Sequence, residues 1–340
     1  MRVVIKERLN AITSVISTIL ALSIATFVTS AILFWGVPYM DRLQTDNIWE
    51  DTEMQFNYVL NVVRDLANCE SGEQRVLSIS ADRGYLGVDD KYDRTIIMYS
   101  YDSDYDFTVS ELELYDGIDD SFTLIMNSWG SDNVREAKIN WLDNGTSEII
   151  GSPSLPNWQI TTSNGEPIDE RIRIDLYDDG ASSEIFGRIW VFDSKSFDYS
   201  LPASTGNREM SIERSGIVAF DSDETKILRT PKVTLGDDSI AIGVIQTIAP
   251  NSFSFGDGFR ATINAYSNGV FVGEISDIYN IRLQFDEGYD EEWLNYFNIT
   301  GYGGDFEKEV SGDTLFFKPS GSDDGVMFTM SYSIIRFSTT

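Results

Sequence analysis

One run of acidic residues has a spacing that is typical of a calcium ligand set. The stretch "DSDYDFTVSELE" places Asp102, Asp104 and Asp106 at alternate positions, and Glu113 stands at the twelfth position counted from Asp102. An EF-hand loop has acids at these positions, but it needs glycine at the sixth position for a sharp turn, and this chain has Phe107 there. The alternating residues that follow favour a β-strand with an acidic face. We therefore predict a strand, and the three aspartates stay candidates for weak binding of Ca²⁺ or another cation.

The residue types that most enzymes use for proton transfer and nucleophilic attack are scarce. The chain contains no histidine and one cysteine, Cys69. The usual base of serine and cysteine nucleophiles is therefore missing, and neither a phosphate-binding loop nor a dinucleotide fingerprint is present. Carboxylate pairs for glycoside hydrolysis can be drawn almost anywhere among 55 acidic residues, so the sequence selects none of them. We predict a protein that is not an enzyme and holds no cofactor, with an extracellular carbohydrate-active enzyme as the third alternative.

The overall charge excludes one large class of partner. The chain has 340 residues and a formal charge of −30, with 42% apolar residues available for a core. Such a charge repels the phosphates of nucleic acids, so we predict no nucleic-acid binding. With one cysteine there is no intrachain disulfide, and the core alone must hold the fold.

Two tripeptides match the acceptor pattern for N-glycosylation. They begin at Asn144 in "NGT" and at Asn298 in "NIT". The modification requires export and a surface position, and the first tripeptide lies in a stretch typical of a turn. Asn144 and Asn298 are therefore predicted glycosylation sites of an exported protein.

The element that would determine location is an uncharged stretch from Asn10 to Gly36. As a helix, Ala11–Gly36 would rise about 39 Å, and a bilayer has a hydrocarbon thickness of about 30 Å. A secretory signal peptide has a shorter apolar region followed by a cleavage site, whereas this stretch continues into Trp35 and Tyr39. We therefore expect a membrane-spanning segment that ends at about residue 38.

The charges on the two sides of this segment predict its orientation. Arg2, Lys6 and Arg8 precede it, and acidic residues from Asp41 onward follow it. Because basic flanks stay in the cytoplasm, the amino terminus is predicted to be cytoplasmic and the rest of the chain to lie outside. Many alanine, serine and threonine residues within the segment favour close packing between helices. The alternative is that serine and threonine are tolerated in a single span because their hydroxyls bond the helix's own carbonyls.

The amino-terminal residues resemble a known family. A basic leader with "KER", then Ala11, then "ITSVISTILALSIA" is similar to the start of archaeal type IV pilin-like proteins. The resemblance covers about 35 residues, with Asn10 where the family has a basic residue and Ser14 where it has proline. It implies cleavage between Ala11 and Ile12 by a prepilin peptidase, followed by self-association of the apolar helices into a filament. The positions in register with the family's helix that would pack in this way are Ile12, Val15, Ile16, Ile19 and Leu20.

Beyond the membrane segment the pattern changes twice. Helical spacing continues to about residue 68, with an apolar stripe that includes Phe56, Val59 and Val63. Short alternating runs separated by Gly, Asp, Asn and Ser then predict antiparallel strands of a β-sandwich type. The predicted fold class is α+β, a long amino-terminal hydrophobic helix followed by a mainly antiparallel β-sandwich-type ectodomain. The predicted division is a leader (1–11), a long helix (12–68) and two β parts (69–205 and 206–340), although a single large β domain fits the pattern as well.

These observations lead to one expected function and two alternatives. The resemblance and the small-residue-rich helix favour a structural subunit of an extracellular type IV pilus-like filament on an archaeal cell surface. Its precursor would lie in the membrane before assembly. The first alternative is a single-pass surface protein that does not polymerise, such as an adhesin, an envelope component or a sensor. The carbohydrate-active enzyme is the other.

Overall fold

The fold is described from a computed structural model of the chain. The structure describes residues 2–101, 105–115, 121–130, 136–142, 147–151, 157–162, 171–177, 184–203, 206–221, 224–236, 239–249, 252–286, 290–299, 306–311, 314–319 and 325–339. Residues 2–15 and parts of several strands and of the last helix are described by their backbone alone.

The amino-terminal third of the chain is a nearly continuous helix. Helix α1 (Arg2–Ala31) leads into a π-helical turn (Ile32–Gly36), and α2 (Val37–Leu66) follows directly. In the turn, the N–H of Val37 donates to the carbonyl of Ile32, five residues back. Pro38 explains this widening, because it has no N–H and its ring would clash with the carbonyl four residues earlier in a regular α-helix.

Helix α2 buries one face and exposes the other. Its buried apolar side chains follow helical spacing, and Met54 and Tyr58 on the opposite face are more than half exposed. The stripe predicted from the sequence is confirmed. The buried apolar residues of α2 are Phe56, Val59, Leu60, Val63 and Leu66.

The rest of the chain, which we call the β region (residues 74–339), is built in its described part mainly from strands, with one short helix, α3 (Asp290–Ile299). In the first half the strands are β1 (Gln74–Ser80), β2 (Tyr85–Ser100), β3 (Tyr105–Tyr115), β4 (Ser121–Gly130), β5 (Glu136–Trp141), β6 (Ser147–Gly151), β7 (Asn157–Thr162), β8 (Arg171–Tyr177) and β9 (Ile185–Ala203). In the second half they are β10 (Gly206–Glu213), β11 (Gly216–Asp221), β12 (Glu224–Arg229), β13 (Lys232–Leu235), β14 (Ser239–Ile248), β15 (Phe253–Phe255), β16 (Arg260–Asp286), β17 (Phe306–Ser311), β18 (Thr314–Pro319) and β19 (Val326–Thr339).

The main sheet curls until its two ends meet. Along its longest path the sheet has the order β12-β11-β10-β9-β2-β16-β19-β14-β13, antiparallel except for the parallel pair β14–β19. Seven further described strands pair beside this path. In a flat sheet, nine strands at about 4.8 Å spacing would put the outermost pair about 38 Å apart. Yet β12 ends at Arg229 and β13 begins at Lys232, a connection that spans at most about 11 Å. The sheet therefore bends around its interior, and a separate small sheet has the order β3-β4-β7.

Strand β16 shows how one long strand can resemble three short ones in the sequence. Its 27 residues contain three alternating runs that predict separate strands divided by turns. The structure instead has one strand with register shifts against its neighbours. Gly269 and Asn280 have positive φ angles of 96° and 51° beside these shifts, so they form bulges and not turns.

Two hydrophobic clusters lie end to end along the longest strands. The first joins the buried face of α2 to the parts of β2, β9, β16 and β19 nearest to it, and includes Phe197 and Tyr199. The second, centred on Trp293 of α3 and on Tyr99, uses the opposite halves of the same four strands. These strands tie the two clusters into one framework, to which α2 contributes an entire face.

The predicted fold class is confirmed, since a long apolar amino-terminal helix precedes a large, mainly antiparallel β region. Strand pairs β2–β16 and β9–β10 join residues on the two sides of position 205. The proposed division into 69–205 and 206–340 stays a prediction.

Candidate membrane-spanning helix and its junction with the β region

Helix α1 exposes apolar side chains in every direction over its described portion. Ile16, Ile19 and Leu20 are 59%, 59% and 61% exposed, and Phe27 further along is 75% exposed. Phe34, in the π-helical turn that follows, is 77% exposed. An amphipathic surface helix has one apolar stripe, whereas a helix that is apolar all round must be buried in lipid or among other helices. The helix therefore needs an apolar environment that the β region does not supply.

Length and composition fit a bilayer. In the part of the chain that the structure describes, one helix is long and apolar enough to span a membrane, Ile16–Leu66, and its most apolar window has a mean hydropathy of 2.1. Its 51 residues rise about 77 Å, more than twice a hydrocarbon thickness of about 30 Å. The apolar first half alone can span a membrane, so the second half is free to enter the β region.

Hydroxyl groups within this helix bond to the helix itself. The Ser23 hydroxyl donates to the carbonyl of Ile19, and the Thr26 hydroxyl donates to that of Leu22, both at 2.8 Å. For these two residues, the alternative stated above therefore holds: their hydroxyls are tolerated in an apolar helix because they bond the helix's own carbonyls. Their remaining contribution to helix association is small size, which lets backbones approach closely.

The first turns of α2 after the apolar segment are held to the β region by charges. Arg83 Nη1 lies 2.9 Å from Asp41 Oδ1, and Arg208 Nη1 lies 2.8 Å from Asp46 Oδ1. The guanidinium of Arg208 also lies 5.8 Å from the ring centre of Trp49. The acids that follow the membrane segment in sequence thus pair with arginines of the β region, in addition to any effect on membrane orientation.

Further along α2, side chains bond the backbone of the β region. The Gln55 amide donates to the carbonyl of Ser80 at 2.9 Å and accepts from the N–H of Ser80 at 2.8 Å. Arg64 donates to the carbonyl of Ser215 at 2.8 Å and to that of Thr230. Thr230 lies in the connection between β12 and β13, so Arg64 bonds the place where the two ends of the sheet meet. Burial and the nearby charge of Arg229 lower the pKa of Arg64.

A buried carboxylate pair lies between the two hydrophobic clusters. Asp93 and Glu213 are 4% and 2% exposed, and the charge of Glu213 acts on the carboxyl group of Asp93. Arg214 lies 3.1 Å from Glu213 Oε1, which also accepts from the indole N–H of Trp293. Burial, and then the charge of Glu213, raise the pKa of Asp93 well above its ordinary value. Both carboxyl groups are closed off from solvent.

The hairpin turn that carries this cluster has an uncommon sequence. Between β10 and β11 the two turn residues, Arg214 and Ser215, have φ angles of 46° and 60°. A two-residue turn with both φ angles positive favours Asn-Gly. Nothing in the sequence pattern identifies this pair of residues as a turn or Asp93 as a partner of Glu213, because the contact joins β2 to a hairpin about 120 residues away.

The predicted site residues lie in different parts of the chain, and the structure describes some of them. Ala11, Ile12 and Val15 lie in the backbone of α1, and their side chains are outside the described part. Ile16, Ile19 and Leu20 lie on the exposed apolar helix. Asp106 lies in β3, which confirms the strand predicted there, and Asn298 lies in α3. The remaining predicted residues, Asp102, Asp104 and Asn144, are outside the described residues.

Comparison of the chain with protein-family models, with curated proteins and with solved structures found no match. The features that bear on function are therefore the amino-terminal helix and its attachment to the β region.

Proposed function

We propose that this chain is a structural subunit of an extracellular type IV pilus-like filament on an archaeal cell surface. The observation that carries the proposal is a helix of two halves, one apolar on all sides and the other embedded in a β region. The resemblance of the residues around Ala11 to pilin-like proteins supports the same assignment.

The apolar half suits two environments in turn. In the precursor it would span the membrane, with Arg2 and Lys6 on the cytoplasmic side and the β region outside. After cleavage between Ala11 and Ile12 it would pack against copies of itself, since small residues permit close helix contacts. Because α2 is held by the ion pairs of Asp41 and Asp46 and by Arg64, the β region would follow the helix into the assembly.

The first experiment determines the amino terminus of the mature protein. Intact-mass analysis of the chain from cells that express a prepilin peptidase should give a start at Ile12. Ala11→Trp, which puts a bulky residue beside the cleaved bond, should keep the leader, and Ser14→Ala is the matched control that should be processed normally. A mature protein that starts at Met1 or Arg2 would contradict the proposed processing.

The second experiment tests assembly separately from anchoring. Replacing Ile16, Ile19 and Leu20 together by alanine leaves a helix that is still apolar and long enough to span, but it removes volume from the packing positions. We expect sheared filaments, detected by electron microscopy with antibody against the β region, to decrease at least tenfold while the precursor stays in the membrane fraction. Filaments without this chain would contradict the proposal.

The single-pass anchor that does not polymerise is the second candidate. It is favoured by the internal bonding of Ser23 and Thr26, because a helix whose hydroxyls are satisfied is stable in lipid without partners. For this candidate the chain would keep its leader, stay in the membrane fraction and be absent from sheared material.

A further inference from the structure

One face of the curled sheet is open to solvent and carries few charges. In β14 and β19, Ile240, Ile242, Phe328 and Met330 belong to the second hydrophobic cluster. Because side chains alternate along a strand, the residues between them point outward. We call the outward residues of β16, β19, β14 and β13 the outer face. Strand register arranges them in rows, Val272-Ser331-Gly243-Lys232, Thr329-Ala241-Thr234 and Asp277-Met327-Ser239.

The outer face exposes large apolar side chains. Val270, Val272 and Met327 are 48%, 67% and 53% exposed. They are three of the six large apolar side chains that are exposed in the described part of the β region. Grouped apolar side chains on a soluble surface mark a place where another molecule binds.

The charged residues of these rows lie at the two margins. Asp277 is in β16 at one margin, and Lys232 is in β13 at the other. The chain as a whole has a formal charge of −30, so two copies repel each other over most of their surfaces. The centre of the outer face is a surface that two copies can bring together without pairing like charges.

The position of the outer face along α2 excludes lipid as the molecule that covers it. Strand β16 begins at Arg260, opposite Ser80, which Gln55 of α2 contacts. It then passes the far end of α2, where the N–H of Gly72 donates to the carbonyl of Ser267 at 2.8 Å. The 30 residues of α2 rise about 45 Å. The outer face begins beyond Ser267 and is therefore about 45 Å or more from the apolar segment.

Anchoring through α1 favours a second copy as the partner. Copies in one membrane have their helices in the same direction and their outer faces at the same height. A twofold axis parallel to α2 keeps both helices in that direction and brings the two outer faces together. The same axis sets the β16 margin of one copy against the β13 margin of the other, so Asp277 lies on the side of the partner's positive margin.

We infer that the membrane-anchored chain forms a twofold pair in which the outer faces of two copies pack against each other. Each face measures about 20 Å along the strands and about 19 Å across them, or about 400 Å² per copy. The total of about 800 Å² is below the 1,200–2,000 Å² or so of a stable interface, so the pair needs the high local concentration that a membrane gives. The inference goes beyond filament assembly, because both candidate functions include an anchored chain.

The test is cross-linking of single cysteines in membranes of cells that express the full chain. Cys69→Ala removes the native thiol, and Thr329→Cys places a new one in the middle row of the outer face. A short bis-maleimide should then give a product of twice the chain mass. Its yield should exceed roughly fivefold that of Tyr58→Cys, a control on the exposed side of α2. Equal yields would overturn the inference, and so would a product whose mass shows a different protein as the partner.

Variants of the outer face then test the contact itself. Val272→Glu should lower the yield from Thr329→Cys roughly fivefold, because it buries a charge between the copies. Val272→Thr is the matched control and should keep the yield. Val272 is 67% exposed in the single chain, so neither change should lower the melting temperature. Met327→Glu is a second, independent disruption, and an unchanged yield in both glutamate variants would reject this face as the interface.

Discussion

At the scale of single residues, the buried carboxyl groups of Asp93 and Glu213 form an unusual cluster in the described part of the chain. Two carboxyl groups that are almost fully buried cannot both be ionised without a large electrostatic cost. Arg214 offsets part of this cost, and Asp198 adds to it. The protonated form of Asp93 is therefore the one that the folded state favours.

This arrangement predicts a specific pH dependence. Because the pKa of Asp93 is raised in the folded state, its stabilising contribution is full below the unfolded pKa of about 3.9 and is lost as pH rises through the folded value. Asp93→Asn keeps the shape and removes the titration. We expect the melting temperature of the wild type to fall relative to this variant as pH rises above about 4.

The comparison of the two proteins cancels the general repulsion among other acids, which acts on both. Melting temperatures of the full chain in detergent, measured by circular dichroism from about pH 4 to about pH 8, check this expectation. A difference between the two proteins that does not change with pH would show that the folded state does not raise the pKa of Asp93.

Gly216 predicts a steric effect in the same cluster. A Cβ atom there would collide with the ring of Trp293 and lie 2.7 Å from the carbonyl oxygen of Arg229. Since Trp293 is fully buried, the ring has little room to move. Gly216→Ala should lower the free energy of unfolding by about 2–3 kcal/mol in chemical denaturation. Gly256→Ala, with no neighbouring atom within 4 Å, is the control and should change it by less than about 0.5 kcal/mol.

At the scale of elements, α2 is the part on which the first hydrophobic cluster depends. Phe56 is fully buried and lies 5.5 Å, between ring centres, from Phe197. Phe56→Ala should lower the free energy of unfolding by about 3–5 kcal/mol. Met54→Ala, two residues away on the exposed face, should change it by less than about 0.5 kcal/mol. Equal effects would mean that α2 is not held by its apolar stripe.

The elements also show which features of the fold a local sequence pattern can predict and which it cannot. The stripe of α2 and the strand at Ser239–Ile248 follow from local periodicity, so both could be predicted. Local pattern also places a helix at Tyr289–Phe297, close to the observed α3. Local sequence pattern does not predict β16 as one strand, because a glycine with positive φ is equally typical of a turn and of a bulge. Only the pairing of β16 with β19 and β2 distinguishes the two.

The candidate site was predictable only in part, for the same physical reason. The apolar helix is a local property, and its composition alone identifies it. The ion pair of Asp41 with Arg83 and the cluster of Asp93 with Glu213 depend on contacts between elements that are distant in the chain. No periodicity in one segment contains that information.

At the scale of the whole molecule, the formal charge of −30 predicts a response to salt. Repulsion among like charges destabilises a compact state, and the screening length falls from about 10 Å at 0.1 M salt to about 3 Å at 1 M. The melting temperature of the full chain should therefore rise by several degrees with NaCl over this range. Sucrose of equal osmolality is the control, and an equal rise in sucrose would assign the effect to solvent exclusion.

The attachment of α2 to the β region also determines how the molecule carries load. Asp41 and Arg64, the outermost of the polar contacts described for α2, are about 35 Å apart along its axis. Tension applied through α1 is directed along that axis, so it shears all the contacts of α2 at once and does not peel them one after another. Resistance to rupture then increases with the number of contacts, and a pull on the amino-terminal helix is opposed by the whole buried face of α2.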